Sequence, residues 1–273
     1  MTFLTPHLPF PHSAPLPPPG SHLIISDTLN SPAYFALYHL LAAALGTKEE
    51  KRKVVWVDLR GEGRGSLETV MKKIGTPLPP ATSPQFIHLA PSSLPHIIPV
   101  SPSTPRIFDK EGKPSLREVY DAVVLHSGEG EGEGEGVVVI LDGLGGLVDM
   151  GMGVDEVLRF VRAVYSRVRQ SKSILTTTLH TDSLPLPSPT PYHPGPDASL
   201  LEGLTRVGKG CWWRTSHLAS GRSGDVMGEI SVHPFGDLQG GEWMEVGRGK
   251  PVQYRLETGS VKVFAKGTGR GFL

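Results

Sequence analysis

The chain has 273 residues, with 27 basic and 27 acidic side chains, so no global field draws it to nucleic acid or to acidic partners, and any such contact must be local. Its single cysteine, Cys211, excludes an internal disulfide and a cysteine-built zinc site and fits a reducing compartment. No run approaches the roughly 18 apolar residues that span a bilayer, and the N-terminus is proline-rich without a basic-then-apolar signal pattern, so a cytoplasmic location, shared with the nucleus, is expected.

Taken from the N-terminus, residues 1–20 are rich in proline and predict a flexible extended arm. Residues 21–273 are long enough for one large α/β domain, which the clustering of 33 glycines and 26 prolines interrupts with loops. Poorly ordered insertions are predicted at 76–84 with 90–105, at the repeat GEGEGEGEG (128–136), and at 183–197. Between them, β-branched apolar runs at 23–26, 53–59, 85–89, 137–141 and 173–179 predict strands. Helical stretches at 32–45, 67–74, 115–126 and 154–169 alternate with them. That order predicts an α/β fold with a mostly parallel central sheet and helices on both faces. After a short helix at 198–207 come strand-like runs at 211–218 and 229–233, then VQYRLE and VKVFAK joined at a glycine, which predict an antiparallel C-terminal hairpin.

Two helices differ in pattern. Over 154–169, Val154, Val157, Leu158, Val161, Val164, Tyr165 and Val168 form one stripe, with Arg159, Arg162, Arg167 and Arg169 opposite, so one face is core and the other wet. Over 32–45, Tyr34, Phe35, Leu37, Tyr38, Leu40, Leu41 and Leu45 leave almost no polar side, which predicts burial all round by the sheet and by a neighbouring element or another subunit.

The turn between the first strand and that helix reads SDTLNSPAY. A strand feeding a helix through a short turn is where many α/β proteins hold a phosphate, through G-x-x-x-x-G-K-[ST]. Laid on this turn without gaps, the pattern puts Asp27 and Pro32 at the glycines, Ala33 at the lysine and Tyr34 at the metal-holding hydroxyl. Every functional position is lost. Ser31 is expected to cap the helix and Pro32 to occupy its first position, where it offers no N–H to a phosphate. Asp142, ending VVVILD, resembles the carboxylate that holds magnesium in nucleotide motors, although buried strands also end in Asp before a glycine turn. Gly61 to Ser66 resembles a dinucleotide fingerprint with serine at its third glycine, and a flexible loop is the favoured reading. Neither G-x-S-x-G nor H-E-x-x-H occurs, Cys211 lies in an apolar run as an inert thiol, and His180-Thr181-Asp182 is the one strand-end polar cluster of note. No catalytic residue, cofactor or metal is expected.

The succession of SDTLNSPAYFALYHLLAAAL, KVVWVDL, VVVILDGLGGLVDMGMGVDEVLRFVRAVY and SILTTTLHTD, over residues 21 to 182, resembles the sixth subunit of the Elongator complex, a RecA-like family that lacks the phosphate loop. The resemblance implies a RecA-like single domain, set in a hexameric ring with two copies each of this chain and of two related RecA-like subunits, the fourth and fifth. It implies attachment to the catalytic part of Elongator and binding of transfer RNA by the assembled ring, in support of wobble-uridine modification. Phe35, Tyr38, Arg159 and Arg162 then become candidate subunit contacts. The loops that would face the pore, 149–153 and 180–197, are not basic. Candidate RNA contacts are therefore Arg60, Arg64, Arg248, Lys250, Lys262, Lys266 and Arg270.

Overall fold

Strands β1 (His22–Asp27), β2 (Val54–Asp58) and β4 (Val138–Asp142) are buried along their whole length, as near-continuous apolar runs must be when both faces of a sheet are covered. They belong to a nine-stranded sheet in a computed structural model that describes residues 16–46, 52–127, 136–182, 195–218, 226–237, 251–257 and 260–265. With β3 (Phe86–Leu89), β5 (Ile174–His180), β6 (Gly210–Ser216), β7 (Gly228–Phe235), β8 (Val252–Glu257) and β9 (Ser260–Ala265), the order is β3-β2-β4-β5-β1-β6-β7-β8-β9. From β3 to β6 neighbours run parallel, and from β6 to β9 antiparallel. The hairpin β8–β9 is the one that the alternating C-terminal runs predict.

The period-two alternation of each strand divides the core into two layers. Leu23, Ile25, Val138 and Ile140 face helices α1 (Tyr34–Gly46) and α2 (Gly63–Lys73), while Ile24, Val139 and Leu141 face α3 (Arg117–Ser127), α4 (Leu144–Asp149), α5 (Val154–Gln170) and α6 (Pro196–Thr205). Helix α5 buries Val157, Leu158, Phe160, Val161, Val164, Tyr165 and Val168 and exposes Arg159, Arg162 and Arg169. Its ends suit its dipole, with Asp155 and Glu156 in the first turn and Arg167 and Arg169 in the last. Helix α6 lies so close that a Cβ on Gly203 would stand 2.2 Å from Leu158 Cδ1.

Helix α1 is buried on nearly every side, as its composition predicts, and part of the cover comes from the same chain. Tyr254 of β8 packs on Phe35 at 4.6 Å between ring centroids. Phe35 is therefore a core residue here and is not exposed for a subunit contact, whereas Tyr38 remains half-buried.

Several expectations need correction. Helix α2 starts at Gly63, four residues before the apolar pattern shows it, so most of the 61–66 segment is helix and not flexible loop. Helix α4 was not legible, because GLGGLVD reads as a turn. Within the arm, Leu16 is buried, and the Gly20 N–H donates to Ser173 O at 2.6 Å. The segment 90–105, expected to be poorly ordered, is tied to Arg106, whose guanidinium donates to the carbonyls of Leu94, Pro95 and Ile98 at 2.7–2.9 Å. Most of the glycine–glutamate repeat and of the 183–197 insertion lies outside the described residues.

Candidate functional site

Open α/β sheets bind ligands beyond the carboxyl ends of their parallel strands. Here β1, β2, β4 and β5 end at that edge in Asp27, Asp58, Asp142 and His180. The turn after β1 closes on itself, with the Ser31 N–H donating to Thr28 O at 2.9 Å and the Thr28 N–H to Ser31 O at 3.4 Å. The cluster His180-Thr181-Asp182 lashes this turn down. The Thr181 N–H and hydroxyl both donate to Asp27 O, at 2.8 and 2.9 Å, and Asp182 Oδ2 accepts the Leu29 N–H at 2.7 Å.

The cap of α1 differs from the sequence expectation. Asp27 Oδ2 accepts the Ala33 N–H at 2.9 Å, so the strand-end carboxylate serves the helix entry. The Ser31 hydroxyl turns away from the helix, donating to Met227 O at 3.2 Å and lying 3.0 Å from His217 Nδ1. Pro32 precedes the first helical residue by two positions and does not occupy it. Asp58 does for α2 what Asp27 does for α1: its oxygens accept the N–H groups of Gly61 at 2.8 Å, Glu62 at 3.3 Å and Gly63 at 2.8 Å.

The centre of the corner is filled by Arg60, from the loop after β2. Its Nε donates to Asp142 Oδ1 at 3.0 Å, Nη1 donates to the Tyr34 hydroxyl at 2.6 Å and to His180 Nε2 at 3.1 Å, and Nη2 reaches Thr178 Oγ1 at 3.3 Å. The guanidinium carbon sits 4.6 Å from the centroid of the Tyr34 ring. Thr178 also donates to Asp142 Oδ1 at 2.6 Å and accepts the Gly143 N–H at 2.8 Å. Gly143, at φ 92°, is required here: a Cβ would stand 2.4 Å from Arg60 Cγ. The Tyr34 hydroxyl donates onward to Glu62 at 2.7 Å.

The electrostatics are those of a cation site already holding its cation. The Asp142 carboxylate is bonded to the Arg60 guanidinium, and Asp27 and Glu62 lie near enough to act on its charge, an acidic surrounding that is the reverse of what a triphosphate needs. Burial pushes the Asp142 carboxyl up, against the pull of Arg60 and the Thr178 hydroxyl. Burial also works to lower the Arg60 guanidinium, but Asp142 and Tyr34 outweigh it and hold it above its ordinary value. Two donors, the Arg60 Nε and the Thr178 hydroxyl, converge on Asp142 Oδ1. Burial opposes ionisation of Asp58, yet bonds from His88, Gly63 and Gly61 hold it at about 2. The contact with Asp27 raises the pKa of His180, but the Arg60 donor at Nε2 demands a lone pair there. The bonded imidazole is therefore neutral with its proton on Nδ1, and protonation breaks the Arg60 contact. Two clefts flank the network. One, of about 290 Å³, is lined by Tyr34, Tyr38, Trp56, Asp58, Glu62 and His88 among others, and the second, of about 190 Å³, by Asp27, Ala33, Tyr34 and Arg60 among others. Both volumes include open solvent and fall below the roughly 300–1,000 Å³ of ordinary ligand pockets.

Of the sequence candidates, the corner collects Asp27, Ala33, Tyr34, Asp142 and Arg60, while Ser31 faces the β6–β7 side. Arg60 and Arg64 are not free for RNA. Arg64 pairs with Glu68 at 2.7 Å, donates to Pro79 O and lies 5.2 Å over the Phe86 ring. Lys262 is 3.0 Å from Glu257, with its side chain 55% exposed, and Arg248, Lys250, Lys266 and Arg270 lie outside the described residues. Thr178, Glu62 and His88 were not anticipated, since polar residues at strand ends or in loops carry no periodic signal. Burial pushes the Cys211 thiol up to about 12, in keeping with an inert role. Among the described residues, no three His, Cys, Asp or Glu side chains form a metal cluster, and no helix is long and apolar enough to cross a membrane. No protein-family model matches the chain, and no curated protein matches it.

Proposed function

We propose that this chain is a non-catalytic structural subunit of a RecA-like heterohexameric ring of the Elongator complex, supporting transfer RNA binding and wobble-uridine modification. Its partners in this reading are the fourth and fifth subunits, the catalytic part of Elongator and, through the assembled ring, transfer RNA. It works in the cytoplasm and also in the nucleus, and it uses no cofactor of its own. The observation that carries the reading is the Arg60 plug: the position where a nucleotide motor would place phosphate and magnesium holds the chain's own guanidinium, bonded to Asp142, Tyr34, His180 and Thr178. A scaffold tolerates that, because a frame needs rigid elements and not an open site. Tyr38 and the exposed Arg159 and Arg162 of α5 stay as candidate ring contacts. RNA contact falls to Lys262 with Arg248, Lys250, Lys266 and Arg270.

The test is co-expression with the fourth and fifth subunits, followed by light scattering and a transfer RNA mobility shift across salt concentrations. A complex holding two copies of each chain that binds transfer RNA is the expected result. A monomer with no affinity for either subunit overturns the reading, and ATP turnover by the chain alone, or NAD bound to it as purified, replaces it with a nucleotide-dependent enzyme.

A further inference from the structure

We infer that the cleft bounded by Tyr34, Tyr38, Trp56, Asp58, Glu62 and Asp142 is a binding site for a small alkylammonium group. Its walls set aromatic rings beside carboxylates, the combination that recognises an organic cation. Carboxylates alone would make only a solvated surface, but two side chains here are almost wholly buried and still have unpaired atoms. The Asp142 side chain is 5% exposed, and both donors that reach it, the Arg60 Nε and the Thr178 hydroxyl, go to Oδ1. Arg60 and Thr178 line the second cleft and Asp142 lines this one, so Oδ2 is the oxygen turned toward it. Among the described residues nothing donates to Oδ2. Trp56 is 4% exposed, and its indole N–H likewise has no hydrogen-bond partner among the described residues.

The field in the cleft is negative even with Arg60 beside it. Arg60 offsets the charge of Asp142, while Asp58 is held by three N–H groups at the entry to α2 and lies 3.5 Å from His88 Nε2. Glu62 accepts the Tyr34 hydroxyl at Oε1 and has no salt-bridge partner among the described residues. The Tyr38 hydroxyl responds to that balance: burial, and then the charges of Glu62 and Asp142 acting against that of Arg60, push it up to about 12. One guanidinium therefore leaves room, electrostatically, for a second cation.

The walls also select the kind of cation. The Tyr34 ring already has the Arg60 guanidinium 4.6 Å from its centroid and stacks on Tyr38 at 6.1 Å, so the rings left for a guest are those of Tyr38 and Trp56. A metal ion needs several ligand atoms at once, and among the described residues no three His, Cys, Asp or Glu side chains converge to hold one. At about 290 Å³, open solvent included, the cleft suits an ammonium head with its first methylenes better than an ordinary organic ligand. Such a head brings N–H donors to Asp142 Oδ2 and Glu62 and lies against the two rings. A free alkylamine and the lysine side chain of a partner protein share this chemistry. The site does not depend on the ring reading proposed above.

The test titrates the purified full chain with butylammonium chloride and with Nα-acetyl-lysine amide, reading tryptophan fluorescence against sodium chloride at equal ionic strength. A saturable change with Kd on the order of millimolar is expected, lost in Trp56→Phe because Trp56 is its source. Glu62→Gln, which keeps an acceptor for the Tyr34 hydroxyl, and Tyr38→Leu should each weaken binding roughly 10-fold. Thermal unfolding serves as the folding control, and if Tyr38→Leu does not fold, Glu62→Gln decides. Tighter binding of the lysine derivative assigns the guest to a partner protein, and binding of butylammonium at least as tight assigns it to a free amine. No saturable change up to roughly 0.1 M amine overturns the inference. So does a response that sodium chloride reproduces, that survives Trp56→Phe, or whose affinity Glu62→Gln leaves unchanged. None of these results bears on the proposed function.

Discussion

Asp27, Asp58 and Asp142 end three parallel strands at the same edge of the sheet, yet they do different things. Asp58 turns back on the helix that follows it and accepts three backbone N–H groups, which holds its carboxyl down to about 2. Asp27 accepts one such N–H and also faces His180 at 2.5 Å. Asp142 caps no helix: it accepts a hydroxyl and a guanidinium brought from 36 and 82 residues away, and burial pushes its carboxyl up. The comparison teaches that a carboxylate at a strand end takes its role from its donors. Where the next helix supplies N–H groups, the aspartate occupies a place an anion could use. Where it does not, the aspartate calls for a cation, and the chain supplies one in Arg60.

The sharpest way to break this comparison is Arg60→Met, which strands Asp142 at 5% exposure without its cation. A loss of about 3–5 kcal/mol is expected, read by urea denaturation, and a loss under about 1 kcal/mol would mean the pair is not buried as described. Next in size is Asp58→Ala, which leaves three N–H groups at the start of α2 without their acceptor. About 2 kcal/mol is expected there, against about 1 kcal/mol for Asp27→Ala with its single N–H, and equal losses would sink the argument from donor number. A smaller effect separates the carboxyls by pH. Because the folded-state pKa of Asp58 lies below its ordinary 3.8, its contribution is present above that value and is lost as pH falls toward about 2. Asp58→Asn should flatten the stability profile between about pH 4 and 2. Asp142, with its folded pKa raised, works in the opposite direction over the acid range, so Asp142→Asn should not reproduce that flattening.

Much of the frame was legible because its signals are periodic. The first five strands, the amphipathic stripe of α5 and the β8–β9 hairpin all follow from spacing, and the loss of phosphate-binding residues at 27–34 was visible by direct comparison with a pattern. What escaped depends on contacts between distant residues. Ser31 looks like a cap beside Pro32, but His217, just after β6, and the carbonyl of Met227, just before β7, engage its hydroxyl instead. Arg60 in GEGRG-flanked sequence reads as a solvent-exposed cation, and only the meeting of β2, β4 and β5 turns it inward. Leu144–Asp149 carries too many glycines to show a helical stripe, and Phe35 could be assigned to the core only once Tyr254 was placed against it.

The central claim is that the chain's own guanidinium and carboxylates fill the corner in which a nucleotide motor holds triphosphate. Calorimetric titration of the purified chain with magnesium and ATP tests it most directly. No saturable heat is expected up to millimolar nucleotide. Stoichiometric binding at micromolar ATP, abolished by a substitution within residues 27–34, would contradict it.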